Sequence, residues 1–277
     1  MRLRSALLSV LRVRLAGAAL VTTGFFVQSS TAHAVLVSSW TQNAGSSGSG
    51  LNTANPVLGN GSSGSANGQQ IYATTASQTL AMGDSLKLSG AFTIVGTTAP
   101  QADQFRFGLY DVNGQSGVNG WLGYFVTNTG TAAGGTGPTV SNLWERSSGN
   151  SGGFGSGAGA VTITTAGATP SNTSFISGNY TFSLNITRVA TGLELMWNVV
   201  GTDLTYSLSK TFTDTTPLTY TFNRIGVLTG GSVNSDQISF SSIDVAFTSA
   251  IPEPASWSVI VSVCALAFCV RRRAVRV

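Results

Sequence analysis

The chain has 277 residues, a formal net charge of +4 and a pI near 9.4. Its basic residues crowd the two ends; between Val35 and Ala250 stand six basic and nine acidic residues, a net charge of −3 with no basic cluster. Binding nucleic acid by counterion release needs many Lys and Arg on one face, so that class is excluded. The one histidine, His33, and the two cysteines, Cys264 and Cys269, also fall outside 35–250. The body therefore has no disulfide framework, no Cys/His zinc site and no triad with a histidine base.

At the N-terminus, Arg2, Arg4, Arg12 and Arg14 form a basic region and Leu15 to Val27 an apolar one. Ala32-His33-Ala34 supplies a small-x-small cleavage site, so residues 1–34 read as a secretory signal peptide cut by signal peptidase before Val35. An uncleaved anchor is the competing reading, and the short apolar run ending at a processing signal argues against it.

The body, 35–250, is rich in Gly, Ser, Thr and Asn, and its apolar residues recur every two positions rather than every 3.6. Leu86, Leu88, Phe92 and Ile94 share one strand face, with Gly90 as a gap, and Phe105, Phe107 and Leu109 share the next. Tyr180, Phe182, Leu184 and Ile186 alternate, Ala190-Thr191-Gly192 turns the chain, and Leu193, Leu195, Trp197 and Val199 alternate on the return. Residues 180–200 thus read as a hairpin. Strands follow near 205–212, 219–228 and 237–248, the last changing phase at Ser241-Ser242, which predicts a β-bulge. Weaker candidates lie near 35–40, 69–74, 78–82, 121–127, 139–146 and 160–165. The stretches 43–68, 129–138 and 147–160 read as long Gly/Ser/Asn-rich loops. About twelve strands and no helix predict an all-β, antiparallel, two-sheet jelly-roll sandwich. Strand order, the FRFGLYD and GWLGYF segments and the closing QISFSSIDVAF strand resemble concanavalin-type sandwiches, the architecture of laminin-G and legume-lectin domains.

Without His or Cys, catalysis would fall to carboxylates, Tyr, Ser or Lys. Glycoside hydrolysis takes a pair about 5–9 Å apart, and the concanavalin-type glucanases set theirs in a Glu-x-Asp-x-x-Glu pattern that is absent here. Glu145 and Glu194 stand on separate strands, so the body is read as non-enzymatic. Asp111-Val112-Asn113-Gly114-Gln115, with Asp103 nearby, offers oxygens to Ca2+ but lacks the charge density of a dedicated loop. An Asx-type turn explains the same residues better, and no cofactor is assigned. A sugar site pairs aromatic platforms with amides and carboxylates. Asp111, Asn113, Asn119, Trp121 and Tyr124 are the residues that fit, against the alternative that Trp121 belongs to the core.

The chain closes with Pro252-Glu253-Pro254, an uncharged run over 255–270, and Arg271, Arg272, Arg273 and Arg276. As a helix that run would span roughly 24 Å, short of a bilayer core of about 30 Å, with the arginines kept on the cytoplasmic side. A plain tail anchor would also show an apolar run and arginines. The ordered set with Pro-Glu-Pro resembles the PEP-CTERM sorting signal of exported bacterial proteins. The short run itself predicts transient anchoring in the inner membrane, and the resemblance implies handling by an exosortase and a Gram-negative host that makes exopolysaccharide. The chain divides into signal peptide 1–34, ectodomain 35–250 and sorting signal 251–277. The reading that follows is an exported surface or extracellular-matrix protein with a structural or adhesive role near exopolysaccharide. A carbohydrate-binding lectin-like domain is the alternative, and a carbohydrate-active enzyme the third.

Overall fold

Side chains that alternate along each strand have one side to bury, and here the buried sides of two sheets meet. The computed structural model describes residues 32–45, 47–96, 105–128, 141–147, 153–155, 160–168, 177–202, 206–230 and 235–250. Most of the expected leader, the whole 251–277 signal, Asp103 and the 129–138 stretch lie outside the described residues.

The strands are β1 (Ala32–Leu36), β2 (Thr41–Ala44), β3 (Val57–Leu58), β4 (Gln70–Thr79), β5 (Ser85–Val95), β6 (Phe105–Asp111) and β7 (Leu122–Asn128). They continue as β8 (Ser141–Arg146), β9 (Ala160–Ala168), β10 (Gly178–Val189), β11 (Gly192–Gly201), β12 (Ser207–Asp214), β13 (Thr221–Leu228) and β14 (Gln237–Thr248). One seven-stranded sheet runs β1-β14-β5-β10-β11-β12, with β3 also on β14; the other runs β2-β4-β13-β6-β7-β8-β9. Among the described residues these strands pair antiparallel throughout. This is the two-sheet antiparallel sandwich that the alternation predicts.

The inward residues of the first sheet, and Phe105 and Phe107 of the second, are those read from the sequence. Leu88, Leu184, Ile186, Leu195 and Trp197 are fully buried from the first sheet, and Phe105, Phe107, Ile225 and Val227 from the second. Each such side chain contributes about 1.5–3 kcal/mol by leaving water. The gap at Gly90 has a purpose: Phe182 pairs with it in register, and a Cβ there would lie 2.6 Å from the Phe182 ring. Phe92 stacks on Tyr180 and tilts against Phe105, so aromatic rings join the two sheets. The 180–200 hairpin closes with Val189 opposite Gly192. The expected bulge falls between Phe240 and Ser242, where the β14–β5 register shifts.

Three expectations need correction. The candidates 69–74 and 78–82 are one strand, β4, because pairing to β13 continues through an irregularity at Phe222/Arg224. The 43–68 stretch is not a bare loop. It holds β3 and a Ser49–Val57 bridge, and it buries Leu58 and Ala66. Gln69, 3% exposed, stitches it down by accepting from Ser47 N at 3.1 Å and donating to Ser65 O at 3.2 Å. Finally, a 3-10 turn at Val118–Gly120 is the helical element among the described residues, where the sequence suggested none.

Candidate functional site

The five residues singled out for ligand contact sit at one end of the second sheet, on β6, β7 and the loop between them. They do not converge. Tyr124 is fully buried and faces the core between the sheets, grouped with Phe222 at 6.5 Å between ring centroids. Trp121 is 2% exposed and belongs to a second cluster with Tyr110, Phe125, Phe154 and Leu228. Its ring meets Tyr72 edge-on at 5.0 Å and stacks on Phe154 at 5.7 Å. These two rings are therefore packing elements, not an open platform.

Phe154 was hidden in the Gly/Ser-rich 147–160 stretch, yet it is fully buried. Gly226 makes room for it, since a Cβ at Gly226 would run into the Phe154 ring. Two cations hold the backbone on either side: Arg146 donates to Gly153 O at 3.0 Å, and Arg106 donates to Gly155 O. Burial lowers the pKa of both guanidinium groups, that of Arg106 to about 10, with Tyr110 pulling the other way. One aromatic among glycines gives no periodic signal, so periodicity could not have found it.

The polar residues behave differently. Asp111 Oδ1 accepts from Asn113 N at 3.0 Å, which is the Asx turn the sequence favoured, and from Asn223 Nδ2 at 3.2 Å. Its Oδ2 accepts from Thr219 Oγ1 at 3.2 Å, and Val112 N donates to Asn223 Oδ1 at 3.1 Å. The start of the loop is thus fastened to β13 and its approach, while Arg146 donates to Val118 O at 2.8 Å near its other end. Between those ties Asn113, Gly114, Gln115, Ser116 and Gly117 are exposed, as is Asn119 just past Val118. Asn113 has φ 50°, a left-handed backbone that Asn tolerates better than most residues. Among the described residues no cluster of three or more His, Cys, Asp or Glu could hold a metal.

Glu145 does not stand alone. Tyr124 Oη donates to Asp214 Oδ2 at 2.6 Å and lies 3.2 Å from Glu145 Oε1, so β12 of one sheet and β8 of the other share a phenol. Leu218 N donates to Glu145 Oε1 at 2.8 Å and Thr216 N to Asp214 Oδ1 at 2.9 Å. Burial first, then the Asp214 carboxylate, hold the Glu145 carboxyl above the usual range, with the Leu218 N–H acting against them. Burial and the Asp214 hydrogen bond push the Tyr124 phenol up. Each carboxylate already accepts a main-chain N–H, and the one phenol proton goes to Asp214 with Glu145 close by, which is how a structural tie between sheets is built. Pairing of these residues depends on the sheets' stacking, which no local spacing encodes.

No family model matches the chain, and no curated protein matches it in sequence. Solved structures with a similar course of the chain include the following three. The carbohydrate recognition domain of Emp46p in its potassium-bound form covers 75% of this chain and 88% of its own, at 11% identity and a TM-score of 0.43. The VIP36 exoplasmic/lumenal domain, in a Ca2+/Man3GlcNAc-bound form, covers 80% and 90%, at 13% identity and a TM-score of 0.45. Basic winged bean lectin with Tn-antigen covers 78% and 98%, at 11% identity and a TM-score of 0.47. At such identities no site residue is carried over from them.

Proposed function

We propose that 35–250 is a non-catalytic carbohydrate-binding domain, exported and sorted to the cell surface or matrix through its Pro252-Glu253-Pro254 signal. The observation that carries the binding part is the loop between β6 and β7. Its exposed amides, Asn113, Gln115 and Asn119, can donate to and accept from sugar hydroxyls, and its base is fixed by Asp111, Thr219, Asn223 and Arg146. Fixing the loop beforehand lowers the entropy cost of binding. The partner is an exopolysaccharide, the polymer that the sorting signal implies. Export by signal peptidase and release through an exosortase, after brief anchoring through 255–270 with Arg271, Arg272 and Arg273 inside, complete the reading. Lectins of similar architecture bind sugars, and the binding proposed here is of that kind.

A purified 35–250 domain run on a glycan array and in a polysaccharide pull-down tests this beside Asn113→Gly and Asn119→Ala. Asn113→Gly keeps the left-handed backbone and removes the amide. Binding that weakens in both variants with unchanged melting supports the loop. Absence of binding by the wild-type domain favours the second reading, a purely structural matrix component. The burial of Trp121 and Tyr124, which removes the expected aromatic platform, is the observation on its side.

A further inference from the structure

The expected leader-cleavage site runs through β1. Ala32, His33 and Ala34 pair with Thr248, Phe247 and Ala246, and Val35 and Leu36 pair with Val245 and Asp244. A signal peptidase needs its small-x-small segment accessible and extended. A segment captured as an added strand is held through its main-chain groups, so one whose groups are already paired in a sheet must open first. In the folded chain that segment is already a strand at the edge of a sheet, its pairing directed to β14. The strand it pairs with is also the last among the described residues, arriving roughly 210 residues after Ala34.

We propose that the β1–β14 ladder fixes the order of maturation: the Ala34–Val35 bond is cut before β14 arrives, and a chain that folds first keeps its leader. This rests on the export reading given above. In the step itself water adds across the Ala34–Val35 amide. Ala34 leaves with the leader as a carboxylate, and Val35 begins the mature body with an amino group. Only Val35 and Leu36 then remain of β1, and Ala246, Phe247 and Thr248 keep their β5 partners but lose those on β1, becoming the sheet edge. A cavity of about 430 Å3 lies beneath, lined in part by His33, Val35, Leu86, Val245 and Phe247, and departure of His33 widens it.

The same pairing places the two ends of the body together. Ala32 lies beside Thr248, and Ala250 N is tied to Asp84 Oδ1 at 2.9 Å, so leader and tail depart from neighbouring points. Both apolar segments carry their arginines on the side away from the body.

Once β1 is paired, cleavage follows the small population of the opened strand. The test uses the full-length precursor, purified in detergent with its leader intact and shown to melt cooperatively, incubated with purified signal peptidase. A synthetic peptide spanning 20–45 and a chain ending at Asp236, which lacks β14, serve as unpaired references. Both references should be cut at Ala34–Val35 at similar rates, and the full chain about 100-fold more slowly. A full chain cut within about threefold of the peptide overturns the ordering while leaving the export reading intact. A peptide that is not cut at Ala34–Val35 overturns the export reading, and the ordering with it.

Discussion

Replacing Tyr124 by Phe removes one oxygen from the join between the sheets. Asp214 is 7% exposed and would keep the Thr216 N–H but lose a 2.6 Å hydrogen bond from the phenol. A hydrogen bond to a charged, buried acceptor is worth about 1.5–3 kcal/mol. In a body of about 216 residues each kcal/mol moves Tm by roughly 2–4 °C, so the variant should melt about 3–12 °C lower. Glu145→Gln has the opposite sign: it keeps an oxygen for Leu218 N and removes a negative charge beside Asp214. The pH dependence follows from the raised Glu145 carboxyl. A carboxyl raised in the folded state adds stability that is fully present below its unfolded value, about 4.3, and is lost as pH rises through the folded value. Wild type should thus lose melting temperature relative to Glu145→Gln as pH is taken from mildly acidic to neutral. Thermal melts of the three proteins across that window are the assay. A Tyr124→Phe change below about 0.5 kcal/mol, or a constant gap between wild type and Glu145→Gln, would refute the tie.

Trp121→Ala should destabilise the body by about 3–5 kcal/mol, measured by urea unfolding, because it empties the cluster that Phe154 and Tyr72 close. Gly90→Ala places a methyl 2.6 Å from the Phe182 ring and 2.7 Å from Ser242 O, so a loss of about 1–3 kcal/mol is expected by the same method. Melting of 35–250 should not change on adding reductant, since both cysteines lie in the tail.

The strands were legible because a residue's inward or outward side follows from position parity alone. Leu86 to Ile94, Tyr180 to Ile186 and Leu193 to Val199 bury as their alternation predicts, and the Ser241-Ser242 phase slip marks a true bulge. The Asx turn at Asp111 is equally local. Stretches lacking that parity were unreadable: β3, the Gln69 stitching and Phe154 all sit among Gly, Ser and Asn that carry no period.

Sequence by itself determined the strand faces, the hairpin, the absence of His and Cys chemistry from the body, and the expectation of processing at both ends. Only the tertiary structure decided which residues from distant strands meet. Tyr124 joins Glu145 and Asp214 across the two sheets, Trp121 is sealed by Phe154, and Ala32 to Leu36 pair with Asp244 to Thr248 at the far end of the chain. Alternation tells a side chain which way to face, whereas its partner is set by strand order and sheet stacking, which are long-range choices made by the core as a whole.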